Sequence, residues 1–156
     1  MNPRIIPDYS ELAARLRSQA AGLEVALTNG CFDLLHVGHV RLIEEAAAQA
    51  DVLVVALNTD ASVRRNKGEG RPVVPLEERM EIVAAIKGVD WVTSFDEPTA
   101  DKLLASLQPA VHCKGTDWTV DTVPERAAVE AYGGRIAICG DPKTHSSTDL
   151  AERMPE

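Results

Sequence analysis

Apolar and polar positions change period along the chain, and each change marks a new element. Residues 23–28 and 51–57 are apolar runs with few polar interruptions, the pattern of strands buried on both faces. Between them Val40, Ile43, Ala46 and Ala47 recur at helical spacing, which predicts a helix over 38–50. The alternation continues with a helix over 76–86 carrying Met80, Val83 and Ile86 on one side, a strand over 91–95, a helix over 100–107 and a strand over 110–113. Pro124 suits a first helical position and Gly133-Gly134 a helix end. A strand over 135–139 and a helix over 147–153 complete the pattern. Upstream, Asp8 followed by Glu11 reads as a capping-box start for a short helix carrying Leu12 and Leu16.

Five strands alternating with helices, several of them apolar on both faces, predict an α/β fold. The expected form is a single-domain, Rossmann-like, doubly wound five-stranded parallel sheet. Residues 1–22 are expected as an N-terminal helical extension and 23–156 as the domain itself. Ligands of such sheets sit beyond the carboxyl ends of the strands. Residues 29–39, 58–60, 114–118 and 140–148 are therefore the segments to inspect.

Composition narrows the classes. The chain has 156 residues, 45% hydrophobic and 26% charged, and a net charge of −8. That balance fits a globular domain and argues against a broad nucleic-acid footprint. No apolar run approaches the ~20 residues of a membrane span, and the first residues carry no signal-like apolar core. The expectation is a cytoplasmic protein without a nucleic-acid or membrane partner. Cys31, Cys113 and Cys139 form no Cys-x-x-Cys pair, so no metal site is expected. Cys113 and Cys139 read as buried filler. Against the acidic background, residues 64–71 hold four basic residues and one acid.

The most informative segment is Thr28-Asn29-Gly30-Cys31-Phe32-Asp33-Leu34-Leu35-His36-Val37-Gly38-His39. It ends an apolar strand and opens a helix, the context in which backbone N–H groups collect around an anion. His36 and His39 lie three apart, on one side of the helix start. The turn N–H groups of Cys31 and Phe32 suit an oxyanion. Lys67, with Arg64, Arg65 and Arg71, reads as a basic loop able to close over phosphates, with Gly68 and Gly70 to let it flex. Together these residues suit attack on the α-phosphorus of a nucleoside triphosphate with pyrophosphate leaving, a reaction that needs placed donors more than covalent chemistry. A phosphate nucleophile is already anionic near pH 7 and needs no general base. Asp33 can tie a turn or face the ligand. Asp60 can cap a helix or face the ligand. Arg79 can pair with its glutamate neighbours on the surface or enter the site. Trp118 can pack in the core or stack on a base.

In these residues the chain resembles the cytidylyltransferase-like nucleotidyltransferases over about 23–153, most closely the heptose 1-phosphate adenylyltransferases. The 28–39 segment resembles their signature, with Asn-Gly-Cys where many cytidylyltransferases have Gly-Thr. Lys67-Gly68, Arg71-Pro72-Val73, Pro75-Leu76-Glu77-Glu78-Arg79, Val89-Asp90-Trp91-Val92, Lys114-Gly115-Thr116-Asp117 and Ser146-Ser147-Thr148 are similar to further blocks. The resemblance implies catalytic roles for His36, His39 and Lys67. It implies nucleotide contacts for Asn29, Gly30, Cys31, Phe32, Gly38, Arg79, Lys114, Gly115, Asp117, Ser146, Ser147 and Thr148. Asp33, Asp60 and Arg71 are the candidates for the second substrate. Ser147 stands where the family has threonine. The stretch from Asp141 to His145 lacks the Arg-Thr-x-Gly of the glycerol-phosphate enzymes and offers Lys143 as a substitute cation.

The implied reaction joins AMP from ATP to a sugar 1-phosphate, D-glycero-β-D-manno-heptose 1-phosphate, for lipopolysaccharide inner-core precursors. Mg²⁺ carried by the ATP phosphates is the expected cofactor, and a separate sugar kinase would supply the acceptor. The alternatives are CTP with glycerol 3-phosphate, ATP with FMN, and a nucleotide-binding module without catalysis. Pairing into a homo-oligomer is left open.

Overall fold

The computed structural model describes residues 2–142 and 147–155, with the side chain of Ser147 outside that description. Six parallel strands form one sheet, β1 (Ile5–Asp8), β2 (Val25–Gly30), β3 (Val52–Asn58), β4 (Trp91–Phe95), β5 (Val111–Lys114) and β6 (Arg135–Ile138), in the order β1-β4-β3-β2-β5-β6. From β2 the chain winds outward through β3 to β4, then returns to the other side of β2 with β5 and β6. The winding reverses between β2 and β5, so a crevice opens beyond their carboxyl ends, at Gly30 and Lys114.

The central strands explain the continuous apolar runs. Along β3, Leu53, Val55 and Leu57 enter one core cluster while Val54 and Ala56 enter the other. The first cluster packs against α2 (Val37–Ala47) and α4 (Leu76–Ala84) through Ile43, Ala46, Met80 and Val83. The second packs against α1 (Tyr9–Gln19), α5 (Asp101–Leu107) and α6 (Arg126–Ala131) through Leu12, Leu16, Leu103, Leu104 and Val129. Each fully buried leucine or valine contributes about 1.5–3 kcal/mol of transfer free energy.

The observed elements differ from the sequence reading in four places. A sixth strand, β1, comes from the segment expected as a helical extension: Ile5 faces one core cluster and Ile6 the other, and Ile5 pairs with Val92 of β4. Pro7 has no N–H to give a further neighbour, which suits the sheet edge. Asp8 caps α1 by accepting from the Ser10 N–H, while Glu11 bonds Arg15, so the cap is single-sided. Residues 64–67, read as a loop, are the last turn of α3 (Asp60–Lys67), capped by the Thr59 hydroxyl rather than by Asp60. Pro124 lies two residues ahead of α6, not inside it. The last helix, α7, spans Ser147–Arg153 as expected. No helix among the described residues is long and apolar enough to cross a membrane.

Candidate active site

The strand β2 delivers the chain into a tight turn before α2. Phe32 and Leu34 hold positive φ angles of 48° and 27°, a conformation non-glycine residues rarely adopt. Asp33, between them, is buried and locks the turn. Its carboxylate accepts from the Val73 and Val74 N–H groups at 2.9 and 3.0 Å and from Arg71 Nε at 2.9 Å. Burial raises its pKa, but those N–H groups and the Arg71 charge outweigh it and hold the carboxyl below the usual range.

Arg79 on α4 secures the other side. It is 1% exposed. Its guanidinium donates to the carbonyls of Cys31 (2.6 Å), Asn58 (2.9 Å) and Val74 (2.9 Å), and to Asp60 Oδ1 (2.6 Å). One side chain thus ties the β2 turn to the end of β3 and to the 71–74 segment. Only arginine presents so many donors in a fixed fork.

At the helix start, His36 and His39 form a reciprocal capping box. His36 Nδ1 accepts from the Gly38 N–H at 3.1 Å, and His39 Nδ1 accepts from the His36 N–H at 3.2 Å. With both Nδ1 atoms acting as acceptors, a neutral ring carries its proton on Nε2. The backbone thereby sets the tautomer of both histidines. Gly38 is required by this packing: a Cβ there would stand 2.8 Å from His36 Cε1. The ring centroids of the two histidines are 4.0 Å apart, and Phe32 flanks His39 at 5.6 Å.

These groups face a cavity of about 290 Å³ at the crevice between β2 and β5. Of the residues singled out in the sequence, Asn29, Gly30, Cys31, Phe32, His36, Gly38, His39, Lys67, Lys114, Gly115, Asp117 and Thr148 line it. Ser146, the side chain of Ser147 and Lys143 lie outside the described residues. Asp33, Asp60, Arg71 and Arg79 do not line the cavity. Asp33 and Arg79 bond the backbone and their partners Arg71 and Asp60, so they hold the wall, while Arg71 gives its Nε to Asp33 and keeps a buried Nη2 without a partner among the described residues. The expectation placed Asp33, Asp60 and Arg71 toward the second substrate and Arg79 toward the nucleotide; the structure sets them in the wall behind the cavity, and the burial of Arg79 rules out a surface pair.

Residues the sequence reading did not single out also reach the cavity. Arg41, one turn into α2, lines it and pairs with Asp141 at 2.6 Å. Thr116 donates to the Asp141 carbonyl at 2.8 Å. A basic side chain on an exposed helix position carries no sequence signal of its own, so only the fold could find Arg41. Trp118 is 37% exposed and lines the cavity, with Lys114 Nζ 5.6 Å from its ring centre. That favours the stacking role over the core role. Lys114 also faces Glu125 at 3.5 Å. Cys139 lines the cavity too. The neighbouring Cys139 thiol, then burial, pushes the Cys113 thiol far above the ordinary range, so it remains a protonated filler.

A donor-rich pocket of this shape accommodates a polyphosphate. The α2 N-terminus, both histidines and the cations Arg41, Lys67 and Lys114 line the pocket, and the helix end adds its partial positive charge.

The profile of the cytidylyltransferase-like family matches residues 27–153. The bifunctional protein HldE of Geobacter sulfurreducens is 48% identical over 136 residues, 87% of this chain and 28% of its own length. That of Ectopseudomonas mendocina is 45% identical over 137 residues, 88% of this chain and 29% of its own length. The chain therefore spans under a third of these curated relatives. Among solved structures, a lipopolysaccharide core biosynthesis protein from Thermoplasma volcanium superposes with a TM-score of 0.68 at 23% identity, covering 78% of this chain and 100% of its own. A pantoate-beta-alanine ligase from Francisella tularensis, complexed with beta-gamma ATP and beta-alanine, gives a TM-score of 0.66 at 16% identity, over 94% of this chain and 75% of its own. At these identities the two structures speak to the fold alone.

Proposed function

The chain belongs to the cytidylyltransferase-like nucleotidyltransferase family, and from that premise we propose that it transfers AMP from ATP to a sugar 1-phosphate. The acceptor is D-glycero-β-D-manno-heptose 1-phosphate and the products are ADP-heptose and pyrophosphate. The observation that carries the reading is the histidine capping box, which aims two proton donors of fixed tautomer at a cationic cavity. Identity of 45–48% to the HldE proteins supports the adenylyl and heptose choices over the other family chemistries.

In this reading a phosphate oxygen of the acceptor attacks the α-phosphorus of ATP in line with the departing pyrophosphate. The new P–O bond forms as the bond to the β-phosphate oxygen breaks, and the electron pair leaves with pyrophosphate. The acceptor phosphate is ionised near pH 7 and needs no base. Negative charge on the α-phosphoryl oxygens and the leaving group is met by His36 and His39 Nε2–H, by the α2 N-terminus, and by Lys67 with Lys114. The histidines and the α2 N-terminus are held by the fold before reaction, which is where such stabilisation has most effect. Trp118 offers a face for the base.

Mg²⁺ bound to the phosphates would neutralise charge as the two anions approach. Among the described residues no group of three or more His, Cys, Asp or Glu could cage a metal, and Asp141 is engaged by Arg41. This donor set suits an ion whose ligands are mainly phosphate oxygens and water.

The test is pyrophosphate release with Mg²⁺, offering ATP or CTP against the heptose phosphate and glycerol 3-phosphate. Release only from ATP with the heptose phosphate is expected. Release from CTP with glycerol 3-phosphate would replace the assignment with a cytidylyl one. Nucleotide binding without release for any acceptor would replace it with a non-catalytic module.

A further inference from the structure

His112 is the one histidine of this chain among the described residues that sits wholly inside the sheet. It is the second residue of β5, fully buried, and paired in register with Leu27 of β2. From there its Nε2 reaches two residues along β2 and lies 2.9 Å from Asn29 Oδ1. Its Nδ1 is buried and has no hydrogen-bond partner. Burial, and then the charge of Lys114, push its pKa down to about 3, so the ring is neutral and carries one proton.

Where that proton sits decides how Asn29 is turned. On Nε2 it is donated to the Asn29 oxygen, and only a lone pair on Nδ1 goes unmatched. On Nδ1 it would be a buried N–H without an acceptor, and Nε2 would need the Asn29 amide flipped to donate to it. Orphaned buried N–H groups are the rarer defect. The Nε2–H form therefore prevails and consumes the Asn29 oxygen. The amide NH₂ is what remains of Asn29, a residue that lines the cavity, and no acceptor among the described residues takes it.

We propose that His112 is a positioning residue: it fixes the Asn29 carboxamide with its NH₂ toward the cavity, where it donates to a phosphoryl oxygen of the bound nucleotide. The proposal rests on the reading of the cavity as a nucleoside triphosphate site, and it adds a component from behind the sheet. A flipped amide would present an oxygen to an anion and repel it. His112 thus sets the sign of the group that Asn29 offers.

The test combines a spectrum with a binding cycle. Nitrogen-15 shifts of the imidazole in the wild-type protein report the tautomer directly, without nucleotide and without any variant. A proton on Nε2 is expected, and a proton on Nδ1 overturns the proposal. Calorimetry with ATP and Mg²⁺ then compares wild type, His112→Phe, Asn29→Ala and the double variant, with His112→Gln as the conservative replacement that keeps a donor near the Nε2 position. His112→Phe should weaken ATP binding about tenfold, the order expected when a hydrogen bond to a charged group is lost. His112→Gln should restore it to within about threefold. In the Asn29→Ala background, His112→Phe should change affinity less than about twofold, since its effect passes through Asn29.

An equal loss in both backgrounds overturns the proposal, as does wild-type affinity in either Asn29→Ala or a folded His112→Phe. If His112→Phe does not fold, the tautomer and the Asn29→Ala affinity still decide. Wild type that fails to bind ATP would sink the nucleotide reading, and the donor role of Asn29 with it, whatever the tautomer. Binding without turnover would sink the transfer reaction and leave the role of His112 standing.

Discussion

Two segments bring groups to the same cavity and are built in opposite ways. The β2–α2 turn is over-determined: two residues at positive φ are pinned by Asp33 and Arg79 through seven hydrogen bonds. The end of α3 is the reverse. Residues 64–70 are exposed throughout, and the ion pair of Arg65 with Asp96 joins side chains that are 49% and 60% exposed. The turn stores strain, which persists only where the surroundings hold it in place. The α3 end has no such enclosure and can reposition Lys67 at small cost. The contrast separates two tasks, donors that must not move and a cation that must arrive with its ligand.

The largest effect should come from the hidden side of the turn. Arg79→Ala leaves the buried carbonyl of Asn58, the part-buried carbonyls of Cys31 and Val74, and Asp60 without their donor. An acceptor left buried without its donor costs about 1–3 kcal/mol, and several are left here, measurable by urea unfolding. A loss as small as that of an exposed pair would break the claim that the turn is pinned. Next comes His39→Ala, which removes one donor and half of the capping box. Turnover should fall about 10²-fold or more in a protein that still unfolds cooperatively.

Acidity probes the same wall through His112. Its folded pKa is about 3 against 6.5 for the free side chain. Below pH 6.5 the unfolded chain takes up a proton that the folded chain does not. This part of the stability is therefore complete above pH 6.5 and declines as pH falls toward 3, by about 1.4 kcal/mol per unit. Between pH 6.5 and 5 the loss is about 2 kcal/mol, and His112→Phe should flatten that slope. Lys67→Ala should lower kcat/KM about tenfold, as for one charged hydrogen bond, and leave the urea midpoint unchanged. Smallest of all, Arg65→Ala should change neither the midpoint nor the activity measurably, as for an exposed ion pair.

The legibility of the sequence follows the same division. Strands buried on both faces announce themselves by apolar runs, and β2 to β6 were readable to within a few residues. The 28–39 segment was readable because local chemistry, a strand end, glycines and two histidines three apart, all point one way. The strand β1 was not, because four residues with a proline become a strand only beside β4. The helix α3 buries only Ser62 and Val63, so its basic end read as a loop. Arg79, Asp33 and Asp60 were legible as polar residues near the site, but apart from Val74, five positions before Arg79, their partners lie 19 to 48 positions away. Only the fold says whether such a group faces a ligand or a carbonyl. His112 carried no signal at all, being one polar residue inside an apolar strand.

Hydrogen exchange of the backbone amides, with and without ATP and Mg²⁺, tests most directly whether the donors are in place before the nucleotide arrives. A preformed turn predicts slow exchange at Val73, Val74 and His39 in the free protein, little changed by nucleotide. Residues 64–70 should exchange fast and slow down only on binding. Fast exchange at Val73 and Val74 in the free protein, slowed only by ATP, would mean that the ligand builds the turn, and would contradict the account.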